Sequence, residues 1–344
     1  MRRPLVTLAF FFTPLMAAAC SGSTPATAPP APIDWKAFQA RPAATAAAKV
    51  LTNKERAVAE GYEGALSSPG FTKLSPMLDE DVRATFPGQD DAHGRDAVMH
   101  AHEVLFGAFD GRVVGMTRVF RTDSTQAVEW SLSGTQSKDW LSVAATRKPV
   151  VIRGLTLLWT KDDGSLTDIH IYFDVAVAKA QLGVGPKELL ALPAPKMPSG
   201  PPQVYEQTGS PDEKVSVTVG RAAIDALEAN DEAGYVDTKT DDTEYYTLER
   251  AQPEVGKEAA RAYFRGIRKA IAQLDTTIDN AWGIGNYSVL EYSIAGEQTA
   301  PIGWIPLQRS NVVHLDVAQV NEDRGGKVAR VWRYDNPLQI VSGP

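Results

Sequence analysis

The feature that most constrains this chain is an internal repeat with a constant spacing of 162 residues. The matched segments are Gly94–Ala97 with Gly256–Ala259, Val128–Gly134 with Leu290–Gly296, and Gly164 with Gly326. Three landmarks at one offset are typical of a duplicated unit rather than of chance similarity. In a chain of 344 residues, the repeat therefore predicts two copies of one fold.

Each copy contains the pattern of a β-hairpin, and the clearest example lies within Arg153–Gly183. Two runs rich in β-branched, aromatic and apolar residues flank Asp162-Asp163-Gly164, a sequence that favours a tight turn. A short helix is predicted after the second run, and Lys327–Asp335 repeats this region in the second copy. Helical patterns followed by antiparallel strands predict an α+β fold with helices packed on one face of a sheet.

Composition and the positions of proline-rich segments predict the domain boundaries. Residues 50–190 are predicted to form the first domain and residues 214–344 the second, with a Pro-rich linker over 191–213. In the second domain, periodicity predicts a helix over Lys257–Leu274, whereas the acidic run Asp237–Glu244 is expected to be a solvated loop.

The first twenty residues have the pattern of an export signal. Arg2-Arg3 precede the apolar run Leu5–Met16, which is too short for a comfortable membrane span, and small residues lead to Cys20. A cysteine at this place resembles a bacterial lipobox, which would make Cys20 a lipid-attachment site; cleavage after Ala-x-Ala is the alternative. Residues 21–49, rich in Pro and Ala, are predicted to be a tether. We expect an exported, membrane-anchored lipoprotein, periplasmic or at the cell surface.

Charge and cysteine content exclude other classes. The net charge is -7 and no run of Lys or Arg interrupts the body of the chain, so a nucleic-acid partner is not expected. Cys20 is the single cysteine, so no disulfide can form within the chain.

Several short motifs carry a family resemblance. They are His93–Val98 at a helix start, Gly134-Thr135 at a strand end, the hairpin Leu155–Phe173, and Asp174 followed by Gln181-Leu182-Gly183. In this order the motifs resemble SnoaL-like polyketide cyclases, also called ester cyclases, of the NTF2-like superfamily. The resemblance implies two cone-shaped domains, each a curved antiparallel sheet covered by helices around an apolar pocket. It also implies cofactor-free acid/base chemistry, with Asp174 at the position of the family's aspartate.

The strand that ends at Asp174 raises a question of direction. Asp174 shares one face with His170 and Tyr172, whereas Ile171 and Phe173 lie on the opposite, apolar face. If the polar face lines a pocket, Asp174 is the general base and the other two orient the substrate. The alternatives are that Asp174 caps the following helix and that this face is solvated or forms a dimer.

In the second copy, the candidate pocket residues are Asp335, displaced by one residue from the counterpart of Asp174, and His314. A one-residue shift turns a strand side chain to the other face. No metal site is expected, because His100 and His102 point to different sides of a helix.

These observations leave two functions open. One is a non-catalytic protein that binds a small apolar ligand or a partner in or on its cones. The other is a cofactor-free enzyme of the cyclase, isomerase or dehydratase type that uses Asp174. The membrane is expected as a partner through the lipidated N-terminus, and the sheets are expected to pair either within the chain or in a homodimer.

Overall fold

The computed structural model describes residues 53–308 and 312–342, and each half of the chain builds one sheet with helices. The predicted signal peptide, Cys20 and the tether lie outside the described residues. In the first half the helices are α1 (Asn53–Arg56), α2 (Val58–Ser67), α3 (Arg95–Phe106), α4 (Val175–Gln181) and α5 (Lys187–Leu190). The strands are β1 (Leu78–Thr85), β2 (Ala92–His93), β3 (Phe109–Arg121), β4 (Thr125–Gln136), β5 (Pro149–Thr160), β6 (Leu166–Tyr172) and β7 (Gln203–Glu206).

The second half repeats this succession. Its helices are α6 (Pro211–Glu228), α7 (Glu232–Asp237), α8 (Lys257–Ala270) and α9 (Leu338–Ser342). Its strands are β8 (Lys239–Tyr246), β9 (Glu254–Val255), β10 (Ile271–Ile284), β11 (Tyr287–Gln298), β12 (Val312–Asp323) and β13 (Val328–Asp335).

Six strands of each sheet have equivalent order and register, and β7 extends the first sheet alone. The first sheet runs β2-β1-β6-β5-β4-β3-β7 and the second runs β9-β8-β13-β12-β11-β10. Arg118 is paired with Glu129 in the first sheet, and Asn280 is paired with Glu291, 162 residues further on, in the second. The register irregularities between β3 and β4 also recur between β10 and β11 at the same offset. The predicted α+β class and the duplication are therefore confirmed.

The hairpin predicted within Arg153–Gly183 is present as β5, β6 and α4. Gly164 supplies the turn with φ of 84°, a backbone region that residues with a Cβ rarely adopt. Asp174 begins α4: its Oδ1 accepts hydrogen bonds from the backbone N–H groups of Ala176 (2.7 Å) and Val177 (3.0 Å). The carboxylate thus satisfies two donors that the first helical turn leaves free.

The prediction of a helix over Lys257–Leu274 was wrong at its C-terminal end. The helix α8 ends at Ala270, and Ile271 already has extended backbone angles and begins β10. Exposed polar residues such as Asp275 and Thr277 dilute the strand pattern, so periodicity alone did not reveal it. The missed strand is the counterpart of β3.

The acidic run Asp237–Glu244 was wrongly predicted to be a solvated loop. It forms the end of α7 and most of β8, which pairs in parallel with β13. Lys239 and Thr243 point inward and are buried, while Asp241 and Asp242 are exposed. The charges therefore mark the outer side of a strand and not a loop.

The predicted linker over 191–213 is partly structured. Gln203–Glu206 adds β7 to the first sheet, parallel to β3, and α6 already begins at Pro211. This segment therefore belongs to the edge of the first sheet as well as connecting the domains.

Candidate functional site

The interior of the first domain is filled by its own aromatic side chains. Phe106, Trp130 and Phe173 are at most 2% exposed, and their ring centroids lie 6.0–6.4 Å apart. Trp140 seals the end of this cone, and its Nε1 donates to the carbonyl of Leu105 at 2.7 Å. Such packing leaves the first cone as a hydrophobic core.

His102 lies within this core and has a structural role. Its Nδ1 bonds to the carbonyl of Val98 at 2.7 Å and its Nε2 to the hydroxyl of Tyr62 at 2.8 Å. Burial lowers the pKa of His102 to about 4, so the ring is neutral at physiological pH and both ring nitrogens are satisfied.

The second domain has a cavity of about 320 Å³ in the equivalent place. The apolar side chains that line it are Ile267, Ile271, Ile294, Ile302, Leu315 and Ile340. Its polar residues include Glu249, Tyr263, Arg333 and Asp335. A largely apolar cavity with a few convergent polar groups is the usual form of a small-molecule site. We call it the second-domain cone.

Register explains why the two cones differ. Asp335 occupies the position of Phe173, Arg333 that of Ile171, and Ile302 that of Trp140. Each substitution removes an apolar or aromatic side chain from the cone or adds a polar one. The second copy therefore keeps the backbone of the first while opening and polarising its interior.

The polar groups of the second-domain cone form a connected set. Arg333 donates to Asp335 at 2.9 Å and also contacts the hydroxyl of Tyr263. Burial opposes the charge on Arg333, but Asp335 raises the pKa of this guanidinium well above its usual value. Burial, reinforced by the charge of Asp335, raises the pKa of Glu249 to about 7. The cone thus holds a fixed ion pair beside a carboxyl group that exchanges its proton near neutral pH.

Asp335, one of the two residues predicted for the second-domain pocket, lines this cone. His314, the other residue predicted for a second-domain pocket, does not line this cone. Val313 and Leu315 are buried, so the intervening His314 points to the opposite face of β12, where its side chain is 51% exposed beside Asp316. The one-residue displacement noted for Asp335 is real: the residue at the strict offset from Asp174 is Asn336.

Asp174 lies away from the interior of the first cone, because Phe173 takes the inward position. It is 3% exposed and borders a cleft of about 330 Å³ between the two domains, which we call the first cleft. Its Oδ2 has no hydrogen-bond partner, and burial together with the charge of Glu249 raises its pKa well above the usual value. In this position Asp174 serves the cap of α4; its predicted catalytic role stays a prediction.

His170 and Tyr172 face the second domain. Both bond to Oε1 of Glu291, His170 through Nδ1 at 2.5 Å and Tyr172 through its hydroxyl at 2.6 Å. They line a second interdomain cleft, of about 500 Å³, together with His314 and Asp316. We call it the second cleft. The structure thus brings together three of the residues singled out in the sequence, but around a glutamate that was not.

Sequence reasoning missed Glu249, Tyr263, Arg333 and Glu291. Glu291 lies within a repeat motif, Arg333 within the repeated segment Lys327–Asp335, and Tyr263 within the predicted helix Lys257–Leu274, but none of these patterns marks a site. The 162-residue offset could have revealed three of them. It aligns the polar residues Glu249, Tyr263 and Arg333 with Pro87, Ala101 and Ile171 of the first copy. Polar residues that replace apolar ones at matched core positions indicate a cavity.

The family is established by sequence. A family model for the SnoaL-like domain matches residues 58–169 and again residues 221–331, and the chain belongs to this family as a tandem duplicate of NTF2-like domains. Among curated proteins, none matches the chain.

Solved structures of single domains are similar to part of the chain. One, assigned as a SnoaL-like polyketide cyclase from Jannaschia sp. CCS1, is 19% identical, covers 40% of this chain and 99% of its own, and gives a TM-score of 0.36. Another, assigned as a polyketide cyclase from Silicibacter sp. TM1040, is 20% identical with coverages of 38% and 95% and a TM-score of 0.33. An LEH-like epoxide hydrolase from M. tuberculosis is 14% identical, with 38% and 90% covered and a TM-score of 0.32.

In the described ranges, no group of three or more His, Cys, Asp or Glu side chains is arranged to hold a metal ion. None of the helices between Asn53 and Ser342 that the structure describes is both long and apolar enough to cross a membrane.

Proposed function

We propose that this protein binds a small, mostly apolar molecule in the second-domain cone, and that the first domain is a structural copy whose cone is closed. The observation that carries the proposal is the contrast between a cavity of about 320 Å³ in the second copy and aromatic packing at the equivalent place in the first. Of the two equivalent cones in the described residues, the second is therefore the one with room for a ligand.

The lining indicates the chemistry of the ligand. The isoleucine wall favours a hydrocarbon body, and the Arg333–Asp335 pair with Tyr263 favours one polar end that both donates and accepts hydrogen bonds. A hydroxyl or carbonyl group on an otherwise apolar molecule fits this arrangement. A strongly anionic ligand does not, because both arginines of the lining are already paired, Arg333 with Asp335 and Arg250 with Glu254, and Glu249 adds a further carboxyl group.

A second candidate function is cofactor-free proton transfer on the bound molecule. It is favoured by Glu249, whose pKa of about 7 suits a general acid or base. Glu249 fits this role better than Asp174, since one oxygen of Asp174 is held by the first turn of α4. Catalysis would then use a carboxyl group of the second copy rather than the aspartate expected from the family resemblance.

We also propose that the protein is exported and tethered to a membrane through a lipid on Cys20. The support is the basic start, apolar run and small residues that precede this cysteine, followed by the Pro/Ala-rich segment. Incorporation of labelled palmitate into the native chain, and its loss in Cys20→Ala, is the expected result. Equal labelling of both chains would contradict the proposal.

The binding proposal is tested by closing the cone with the first domain's own residue. Ile302→Trp introduces the indole that Trp140 provides in the first copy. In that copy the indole N–H donates to the carbonyl of Leu105, and Ile267 is the residue at the equivalent position in the second. Native mass spectrometry of protein purified from its own host is expected to show a retained small molecule in the native chain and not in Ile302→Trp.

The matched control is Leu307→Trp, which adds the same side chain to the same loop at an exposed position, 53% exposed in the native chain. It is expected to retain the molecule. If the native chain carries no molecule and takes up none from a lipid extract, or if both tryptophan variants bind equally, the cone is not the binding site.

A further inference from the structure

Two glutamates at equivalent positions lie in the contact between the domains. Glu129 of the first domain accepts a hydrogen bond from Tyr334 of the second at 2.9 Å. In return, Glu291 of the second domain accepts one from Tyr172 of the first at 2.6 Å. Both pairs are related by the 162-residue offset, so the contact has two pseudo-symmetric halves.

The half around Glu129 contains its own cation. Arg118 donates through Nε and Nη2 to both oxygens of Glu129, and its guanidinium lies 3.6 Å from the ring centroid of Trp332. Arg118 and Glu129 are 7% and 3% exposed. A buried carboxylate is thus neutralised by a planar cation that is stacked on an aromatic ring.

The half around Glu291 lacks that cation. Asn280 stands in the position of Arg118 and His170 in that of Trp332, and both smaller side chains donate to Glu291. Asn280, His170 and Glu291 line the second cleft of about 500 Å³. The space that Arg118 and Trp332 occupy in one half is therefore left open in the other.

The second cleft carries more acidic than basic side chains. Its lining carboxylates are Asp91, Asp279, Glu291 and Asp316, and among its lining residues, all in the described part of the chain, there is no Lys or Arg. Two histidines also line it: His170 pairs with Glu291, and His314 pairs with Asp316, which in addition accepts a hydrogen bond from Gln339. Burial and the charges of Glu291 and Asp316 raise the pKa of Asp279, as expected where negative charges face one another. Such a cleft attracts cations.

An independent feature of the second cleft points to a ligand. Asn336 lines it and is only 4% exposed, yet neither Oδ1 nor Nδ2 of its side chain has a hydrogen-bond partner. A buried amide without partners is costly unless something in the cleft bonds to it. Its counterpart Asp174 bonds instead to its own helix.

We propose that the second cleft binds a small organic cation with a guanidinium group, held by Asp279, Asp316 and the amide of Asn336. The ligand would resemble the side chain of Arg118, whose planar guanidinium lies beside Glu129 at the equivalent position in the other half. The site is separate from the second-domain cone and does not depend on a ligand there.

The experiment uses butylguanidine as the probe and butanol as its neutral partner of equal chain length, with binding measured by ligand-observed NMR on the full chain. Butylguanidine is expected to bind and butanol is not. In the double variant Asp279→Asn/Asp316→Asn, the dissociation constant is expected to rise by about tenfold or more, because two carboxylates that face the cation are lost.

Two further variants make the test specific. Asp275→Asn removes the same charge from an exposed position on the same strand and is expected to leave the affinity unchanged. Asn280→Arg supplies the guanidinium from within the chain and is expected to abolish binding. The proposal is overturned if butylguanidine does not bind, if butanol competes with it, or if Asp275→Asn weakens binding as much as the double variant.

Discussion

The two domains share strand order, register and even the same irregularities between paired strands, yet the interior of one is filled and that of the other contains a cavity. The first fills its cone with Phe106, Trp130 and Phe173, and the second lines a cavity with Arg333 and Asp335. Backbone hydrogen bonding is therefore preserved by the duplication, while side chains that point into the cone are free to diverge. The fold specifies where a pocket lies, and a few inward positions decide whether it is open.

The interdomain clefts show the same divergence in charge. Arg153 of the first cleft pairs with Ser131 across its sheet, and Asp316 of the second cleft pairs with the equivalent Ser293. Arg250 and Lys196 add to the basic lining of the first cleft. Equivalent clefts in one chain thus differ in the charge of their linings.

The largest effect on stability is expected from replacing Arg118, in the Glu129 half of the contact, by the asparagine found at the equivalent position in the Glu291 half. Arg118→Asn replaces the cation beside the buried carboxylate of Glu129 by a neutral amide, like Asn280 beside Glu291. We expect a loss of about 3–5 kcal/mol in the free energy of unfolding, because breaking a buried ion pair leaves an uncompensated charge. Urea denaturation followed by circular dichroism measures it.

The control for this variant is Arg83→Asn, which breaks the pair with Asp168 at a site where the arginine side chain is 70% exposed. We expect a loss within about 1 kcal/mol, as for other exposed pairs. Equal losses in the two variants would mean that the cation in the Glu129 half is no more important to the contact than a surface charge.

Much of the fold was readable from the sequence for physical reasons. The hairpin β5–β6 is rich in β-branched, aromatic and apolar residues with Asp-Gly at its turn, and the 162-residue offset located the second copy. The strand β10 was missed because its outer face is polar, and β8 because its acidic residues conceal the buried Lys239 and Thr243.

The candidate site was less accessible to sequence reasoning. The alternation of side chains along β6 predicts that Ile171 and Phe173 point inward and Asp174 outward, as observed. It does not predict which part of the chain covers the outward face. The contacts of His170 and Tyr172 with Glu291 span more than 100 positions in the chain and cross from one domain to the other. Nothing in either local pattern encodes such a contact, whereas comparison of matched positions in the two copies would have indicated the polar cone.

A smaller effect is expected on the pH dependence of stability, through Glu249 in the second-domain cone. The pKa of Glu249 is raised from 4.5 to about 7 in the folded chain, so between these values the folded state retains a proton that the unfolded state has lost. This group therefore lowers stability as the pH rises through that window. Glu249→Gln, which cannot ionise, is expected to gain stability relative to the native chain by an amount on the order of 2 kcal/mol above pH 7, and little near pH 4.

The measurement is the difference in unfolding free energy between Glu249→Gln and the native chain from pH 4 to 8, which cancels the contributions of His102 and other groups common to both. Glu258→Gln, an equivalent change at an exposed position on α8, is the control. A difference that stays constant across this range would show that Glu249 ionises as in the unfolded chain. The second-domain cone would then lack the proton-exchanging group that sets it apart from the first.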